Sequence, residues 1–317
     1  ITEDGIPLPE GETLDNQNVL TQWAYPNRYY HAAHWIGQQT DAEVIQVNSF
    51  ACGPDAIAVD EVKYILREYG RSHTVIRVDE IESPGSVRLR LRSMFESMKW
   101  DCSRVSNQHH PRISPRLFLE NDRRKLILAP EFSRFCTAPL ARPLMDFGYR
   151  LEMLPPVNRQ SVEVGLKYTN NEICFPAIIL IGDLIKSLQS GKYNLQDVAV
   201  GITQTGGPCR ASSYLSLLKK ALTAAGFEDI PIVSISSGVK GLHEQPGFKM
   251  DIKQYYYKSI ISMLYADSLS TLYHATAVRA IKPELVEQLA DHYMDKLASG
   301  ELPLTRNAVM TTLEQAV

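Results

Sequence analysis

Cysteine is the residue type in this chain best suited to chemistry, and there are five of them. The count is odd and no two form a CxxC pair, which argues against a disulfide framework and for reduced thiols in a cytoplasm. Four of the five lie where the sequence pattern passes from strand to helix. Cys52 stands in Phe50-Ala-Cys-Gly-Pro54, Cys136 closes Phe132-Ser-Arg-Phe-Cys136, and Cys174 stands in Asn170-Asn-Glu-Ile-Cys-Phe-Pro176. Cys209 follows Thr203-Gln-Thr-Gly-Gly-Pro208 at the start of a helical stretch. Open α/β sheets gather their chemistry at the carboxyl ends of strands, beside helix N-termini. A thiol in such a place has its thiolate favoured by the helix dipole, and thiolate is the form that binds metal. Soft thiolates brought together in a reducing compartment select iron–sulfur clusters or zinc. Ligands carried on distant loops leave no compact spacing, so the same residues also fit buried thiols that act as small hydrophobes. Cys102, in a polar stretch, reads as an incidental thiol.

Other chemistry-bearing patterns are few. The chain has no P-loop, no GxGxxG, no HExxH and no GxSxG. Thr205-Gly-Gly-Pro208 is too short for a phosphate loop, although backbone amides there can hold an anion. Asp79 with Glu80, and Glu172 beside Cys174, read as exposed carboxylates at element ends. His31 and His34 share a helical face with no third ligand near in sequence, which fits a structural pair. Arg88, Arg90 and Arg92 diverge around a helix and read as solvated surface.

These residues need elements to position them. After a polar arm over residues 1–22, Pro26 opens a helix to about Ile36. Glu43–Val47 is a strand, Ile57–Tyr69 a helix, Thr74–Val78 a second strand, and Ser83–Met98 a helix. That βαβα order predicts a parallel sheet covered by helices. Trp100–Arg124, broken by Pro111 and Pro115, reads as a linker or excursion. Strands over Lys125–Ala129, Tyr149–Leu154, Val198–Ile202 and Ile232–Ile235 alternate with helices over Thr137–Phe147, Ser161–Tyr168 and Ala177–Gln189. A further helix begins near Ala211, and from Ile252 the pattern turns wholly helical. The fold class expected is therefore α/β, with two three-layer domains of parallel sheet flanked by helices and a helical C-terminal tail. The division is residues 1–122, 123–250 and 251–317, the tail packing on a sheet domain or making a subunit contact.

The chain has 317 residues, 44% of them hydrophobic and 22% charged, with a net charge of −3. This is an ordinary balance for a globular protein, and nothing in it points to a nucleic-acid or membrane partner. The longest apolar run, Phe175–Ile185, is too short to span a bilayer and carries Asp183. No signal peptide is read, and a start at Ile1 rather than methionine suggests a portion of a longer, cytoplasmic protein.

Several separated motifs together carry a resemblance. Cys52-Gly-Pro-Asp55, Ser83-Pro-Gly-Ser-Val-Arg-Leu-Arg90, Asn170-Asn-Glu-Ile-Cys-Phe-Pro176 and Gln204-Thr-Gly-Gly-Pro-Cys-Arg-Ala211 resemble, in this order, the large acyl-CoA dehydratase activase-related proteins. In those proteins an activator similar to that of 2-hydroxyglutaryl-CoA dehydratase is fused to a region resembling the dehydratase subunits. The likeness runs from about Leu20 to Phe248 and falls on the dehydratase-like region, not on the ATP-binding module. It implies two α/β domains around an iron–sulfur cluster of 4Fe–4S type, which an aerobic preparation is expected to lose. It also implies an ATP-dependent activase partner that delivers low-potential electrons for a difficult reduction or dehydration of an acyl-CoA or other small substrate. Carried across by motif, Cys52, Cys174 and Cys209 become the metal ligands and Cys136 a weaker fourth. Three ligands would leave one iron open. The alternatives are a docking or scaffold module of a larger protein, a homodimer among its forms, and a metal-free small-molecule binder.

Overall fold

The computed structural model describes residues 2–6, 23–39, 41–49, 54–78, 84–100, 116–205, 209–236 and 244–316. Two parallel sheets carry the chain. In the first, β1 (Val44–Asn48) pairs with β2 (His73–Arg77), in register from Val44 opposite His73 to Asn48 opposite Arg77. Their crossover is α2 (Pro54–Glu68). The apolar face of α2 (Ala58, Val62, Ile65, Leu66) packs on Tyr30 and Ala33 of α1 (Ala24–Gln38). After β2 the chain enters α3 (Pro84–Trp100), most of whose surface is exposed.

The second sheet has the order β4-β3-β5-β6, all parallel. Its strands are β3 (Leu126–Ala129), β4 (Arg150–Met153), β5 (Val198–Gln204) and β6 (Ile232–Ser236). β5 is central and buried almost throughout, which explains its unbroken apolar run. Strand β5 extends two residues beyond the apolar run, because Thr203 and Gln204 keep pairing with Ile235 and Ser236.

One face of this sheet is covered by α6 (Phe175–Gln189) and α7 (Tyr214–Ala224), whose leucines and isoleucines meet Leu128, Val200 and Ile202. Outside them lies α5 (Arg159–Tyr168), started by Asn158, whose side chain accepts from the Ser161 amide. The opposite face carries α4 (Thr137–Asp146) and the rings of Phe118, Tyr149 and Phe248. The tail follows as α8 (Ile252–Ala277), α9 (Pro283–Ser299) and α10 (Arg306–Ala316). It has its own core around Tyr265, Tyr293, Met294 and Leu297, and it packs on Phe135 and Ala138 at the start of α4.

Residues 116–124 are not free linker. Phe118 is fully buried against the sheet, and Glu120–Arg124 forms a 3-10 turn held by a buried Asp122 that pairs with Arg116 at 2.8 Å. A single aromatic with a buried slot is enough to fasten a polar stretch. Among the described residues no helix is long and apolar enough to cross a membrane.

Helices α5 and α6 pack with their backbones in contact. Gly165 of α5 faces the Ile178 carbonyl, and Gly182 of α6 faces the Ser161 carbonyl, with no room for a side chain. Beside them Asp183 is fully buried, with Ser161 Oγ donating at 2.8 Å and Lys186 Nζ at 2.6 Å. Gly182→Ala would drive a methyl group into backbone atoms, so it is expected to cost about 3 kcal/mol or more. Gly226→Ala has open space and only its positive φ of 78° to oppose it, so about 1 kcal/mol is expected. Urea denaturation of both variants checks the contrast.

Candidate functional site

The strand order changes direction between β3 and β5. From β3 the chain crosses to β4 over one face, and from β5 it crosses to β6 over the other. Such a switch point leaves a crevice at the carboxyl edge of the sheet, where ligands of open α/β folds bind. The loop after β3 carries Cys136, and the loop after β5 carries Cys209.

Around Cys209 the chain is fixed by side-chain amides and hydroxyls. The Gln204 amide donates to the Ser212 carbonyl at 2.8 Å and accepts from Ser234 Oγ at 3.2 Å. Ser212 Oγ donates back to the Thr205 carbonyl at 2.6 Å. Gln245 clamps β6 like an added strand, bonding both the amide and the carbonyl of Ser234 at 2.9 and 2.8 Å. Cys209 then caps a 3-10 turn, Arg210–Ser213, that runs straight into α7, and the Ser212 amide donates to its carbonyl at 3.0 Å. Its thiol is exposed.

Cys174 stands directly at the start of the neighbouring helix. It is the N-cap of α6, with Phe175 and Pro176 in the first turn, where proline's missing N–H costs nothing. Its loop is held from three sides. The Asn170 side chain accepts from the Glu172 amide at 2.9 Å and donates to the Ala56 carbonyl at 3.4 Å. Glu172 forms an ion pair with Arg77, the last residue of β2. Ile57, early in α2, is buried in the same core as Ile173. The first turn of α2, two residues beyond Cys52, therefore lies against the loop that carries Cys174. Farther along, Glu61 of α2 pairs with Lys220 of α7, so the two sheets are tied together beside this edge.

Close to Cys174 and within electrostatic reach of Cys209 stands Tyr214, the first residue of α7. Its side chain is buried and its hydroxyl lies 3.1 Å from Cys174 Sγ. Burial pushes the Tyr214 hydroxyl well above the usual tyrosine range. The bond to Cys174 and the charges of Cys174 and Cys209 push the same way, with Arg210 opposing. The hydroxyl therefore keeps its proton at neutral pH and donates to Cys174 whenever that thiol is ionised. Cys174, at a helix N-terminus where backbone N–H groups are unpaired and favour an anion, bonds this protonated phenol, and Cys209 acts on it only through its charge.

Cys52 and Cys102 lie outside the described residues. Asn48, at the carboxyl end of β1, has a fully buried side-chain amide with neither atom hydrogen-bonded among the described residues. A buried amide of this kind is expected to be satisfied by a bound molecule or water. Cys136 is exposed and caps α4, on the other face of the sheet from α6 and α7. Its loop faces the tail, since Arg134 pairs with Glu287 and Asp291 and Phe135 stacks on Tyr273 at 5.7 Å. Among the described residues no group of three or more His, Cys, Asp or Glu side chains is assembled to hold a metal ion.

In the sequence Tyr214 is one more apolar residue at the start of the helical stretch that begins near Ala211. The available signal was its position five residues after Cys209, at the helix start where Cys209 stands. No protein-family model, curated protein or solved structure matches this chain.

Tyr214→Phe removes the hydroxyl and keeps the ring, so the expected stability loss is about 1 kcal/mol, that of one hydrogen bond. Alkylation of Cys174 should slow, because its thiolate loses a donor, while alkylation of Cys136 stays unchanged. Mass-spectrometric rates at each cysteine measure both.

Proposed function

We propose that this chain is an iron–sulfur redox module, similar to the dehydratase subunits whose motifs it resembles, that takes low-potential electrons from an ATP-dependent activase. One observation carries the reading: Cys174 caps α6 with its sulfur 3.1 Å from the Tyr214 hydroxyl, and Cys209, at the head of the 3-10 turn that leads into α7, is close enough for its charge to act on the same hydroxyl. The donor set fits the group. Thiolates are the ligands that iron–sulfur clusters select, and helix N-termini favour anionic ligands and the net negative charge of a thiolate-bound cluster. Cys174 and Cys209 would hold it, with Cys52 as the third ligand, and Cys136 as a weaker fourth across the switch-point crevice. When bound, such a cluster supplies one-electron transfer at low potential.

The chain's own groups have distinct work. The Tyr214 hydroxyl directs its proton at Cys174 Sγ and so reduces the charge that sulfur carries. Arg210, next to Cys209, brings a positive charge that acts on the Tyr214 hydroxyl. The Arg77–Glu172 pair and the Asn170 turn hold the Cys174 loop to the first sheet, so the two sheets keep a fixed separation at the site. An acyl-CoA or another small substrate would enter between the carboxyl edges of the strands.

Cys209→Ser tests this reading, with Cys102→Ser as the control. A soft thiolate is replaced by a hard, protonated hydroxyl of nearly the same size. The expected result is a folded variant with an unchanged circular dichroism spectrum and sharply lower iron after anaerobic reconstitution. Cys102→Ser should reconstitute fully. Parental iron in both variants would remove Cys209 as a ligand.

A further inference from the structure

Helix α8 has two apolar faces, and the tail core uses only one. Tyr255, Ser262, Tyr265, Ala266 and Leu269 point inward to α4, α9 and α10. On the opposite side Tyr256, Tyr257, Ile260, Met263 and Leu264 are 46%, 60%, 58%, 47% and 61% exposed. At about 100° per residue these five fall within some 60° either side of Ile260, a single stripe over two to three turns. Lone exposed apolar residues need no explanation, but a contiguous stripe of two tyrosines, an isoleucine, a methionine and a leucine marks an interaction surface.

The stripe is bounded by charge of opposite sign. Lys253 lies on the same line at its N-terminal end and Asp267 at its C-terminal end. Both are exposed, and neither has an ion-pair partner among the described residues. The pattern is symmetric about Ile260. Lys253 and Asp267 stand equally far from it in sequence, as do Tyr256 and Leu264, and Tyr257 and Met263. A two-fold contact needs this property: the same patch must fit itself when reversed.

We propose that the occupant of this face is a second copy of the chain, with α8 packed antiparallel against α8 across a two-fold axis at Ile260. In that arrangement Ile260 meets its own counterpart. Tyr256 of each copy covers Leu264 of the other, and Tyr257 covers Met263. Lys253 of each copy meets Asp267 of the other, about 21 Å from end to end of the contact. Helix α8 is a firm platform for this, because its inner face is already packed on α4 and the tail. Seven side chains from one helix per copy make a small contact beside the ~800 Å² per partner of a standard interface, so the dimer should be reversible, with a dissociation constant on the order of micromolar. The pairing involves none of the cysteines and stands whether or not the chain binds a cluster.

Sedimentation of the chain across a micromolar concentration series tests the proposal. The parent should move from 35.7 kDa towards twice that mass as concentration rises. Ile260→Asp should stay monomeric with an unchanged thermal melt, since the residue is exposed. Lys253→Asp and Asp267→Lys should each weaken the dimer by about tenfold or more at low salt, by setting like charges opposite each other. The double exchange, K253D with D267K, should restore the parental affinity, an outcome that a different occupant of the face would not produce. A parent that stays monomeric throughout overturns the proposal, as does a dimer that survives Ile260→Asp. A double exchange no better than the single ones overturns the antiparallel register.

Discussion

All strands of the four-stranded sheet run in one direction, and the placement of the chemistry follows from that. Parallel neighbours cannot be joined by tight turns, so each strand must leave the sheet at its carboxyl edge and return through a helix. Each such exit ends at a helix N-terminus with unpaired N–H groups. The thiols at Cys136 and Cys209 sit on two of these exits, and Cys174 caps the long helix that leads back to β5. Because β3 and β5 are neighbours whose crossovers cover opposite faces, the loop with Cys136 faces the tail, while that with Cys209 faces α6.

Packing turns this topology into a defined site. The glycine contact between α5 and α6 lets the two backbones touch, with the Ser161, Asp183 and Lys186 side chains bonded beneath. That contact fixes where α6 begins, and so where Cys174 stands relative to Tyr214. On the other side, Lys220 to Glu61 and Arg77 to Glu172 tie the first sheet to the second at the same edge. The candidate site is thus bordered by helices and strands held together by packing and ion pairs, as precise positioning requires.

Much of this was legible in the sequence because the elements obey simple periods. The run Val198–Ile202 reads as a buried strand, Pro176 marks a helix start, and the alternation of strands and helices gives parallel sheets without further information. Three features were not legible. Phe118 fastens residues 116–124 to the sheet, but its partners, Tyr149 and Phe248, are distant in sequence. Tyr214 looks like any aromatic on an apolar helix face until α6 brings Cys174 to its hydroxyl. The outward stripe of α8 is hidden because apolar residues on both sides of a helix cancel its directional signal, and only the tail core shows which side is covered. Each of these depends on a contact between elements, which local pattern does not encode.

The proposed function requires the thiols at the carboxyl edge to act together as soft ligands. The most direct measurement is the iron and acid-labile sulfide content of the parent chain after strictly anaerobic reconstitution, read together with its visible absorption. The prediction is a brown protein holding several irons per chain and sulfide in matching amount. A colourless, iron-free protein under the same conditions, with its thiols fully titratable, would contradict it.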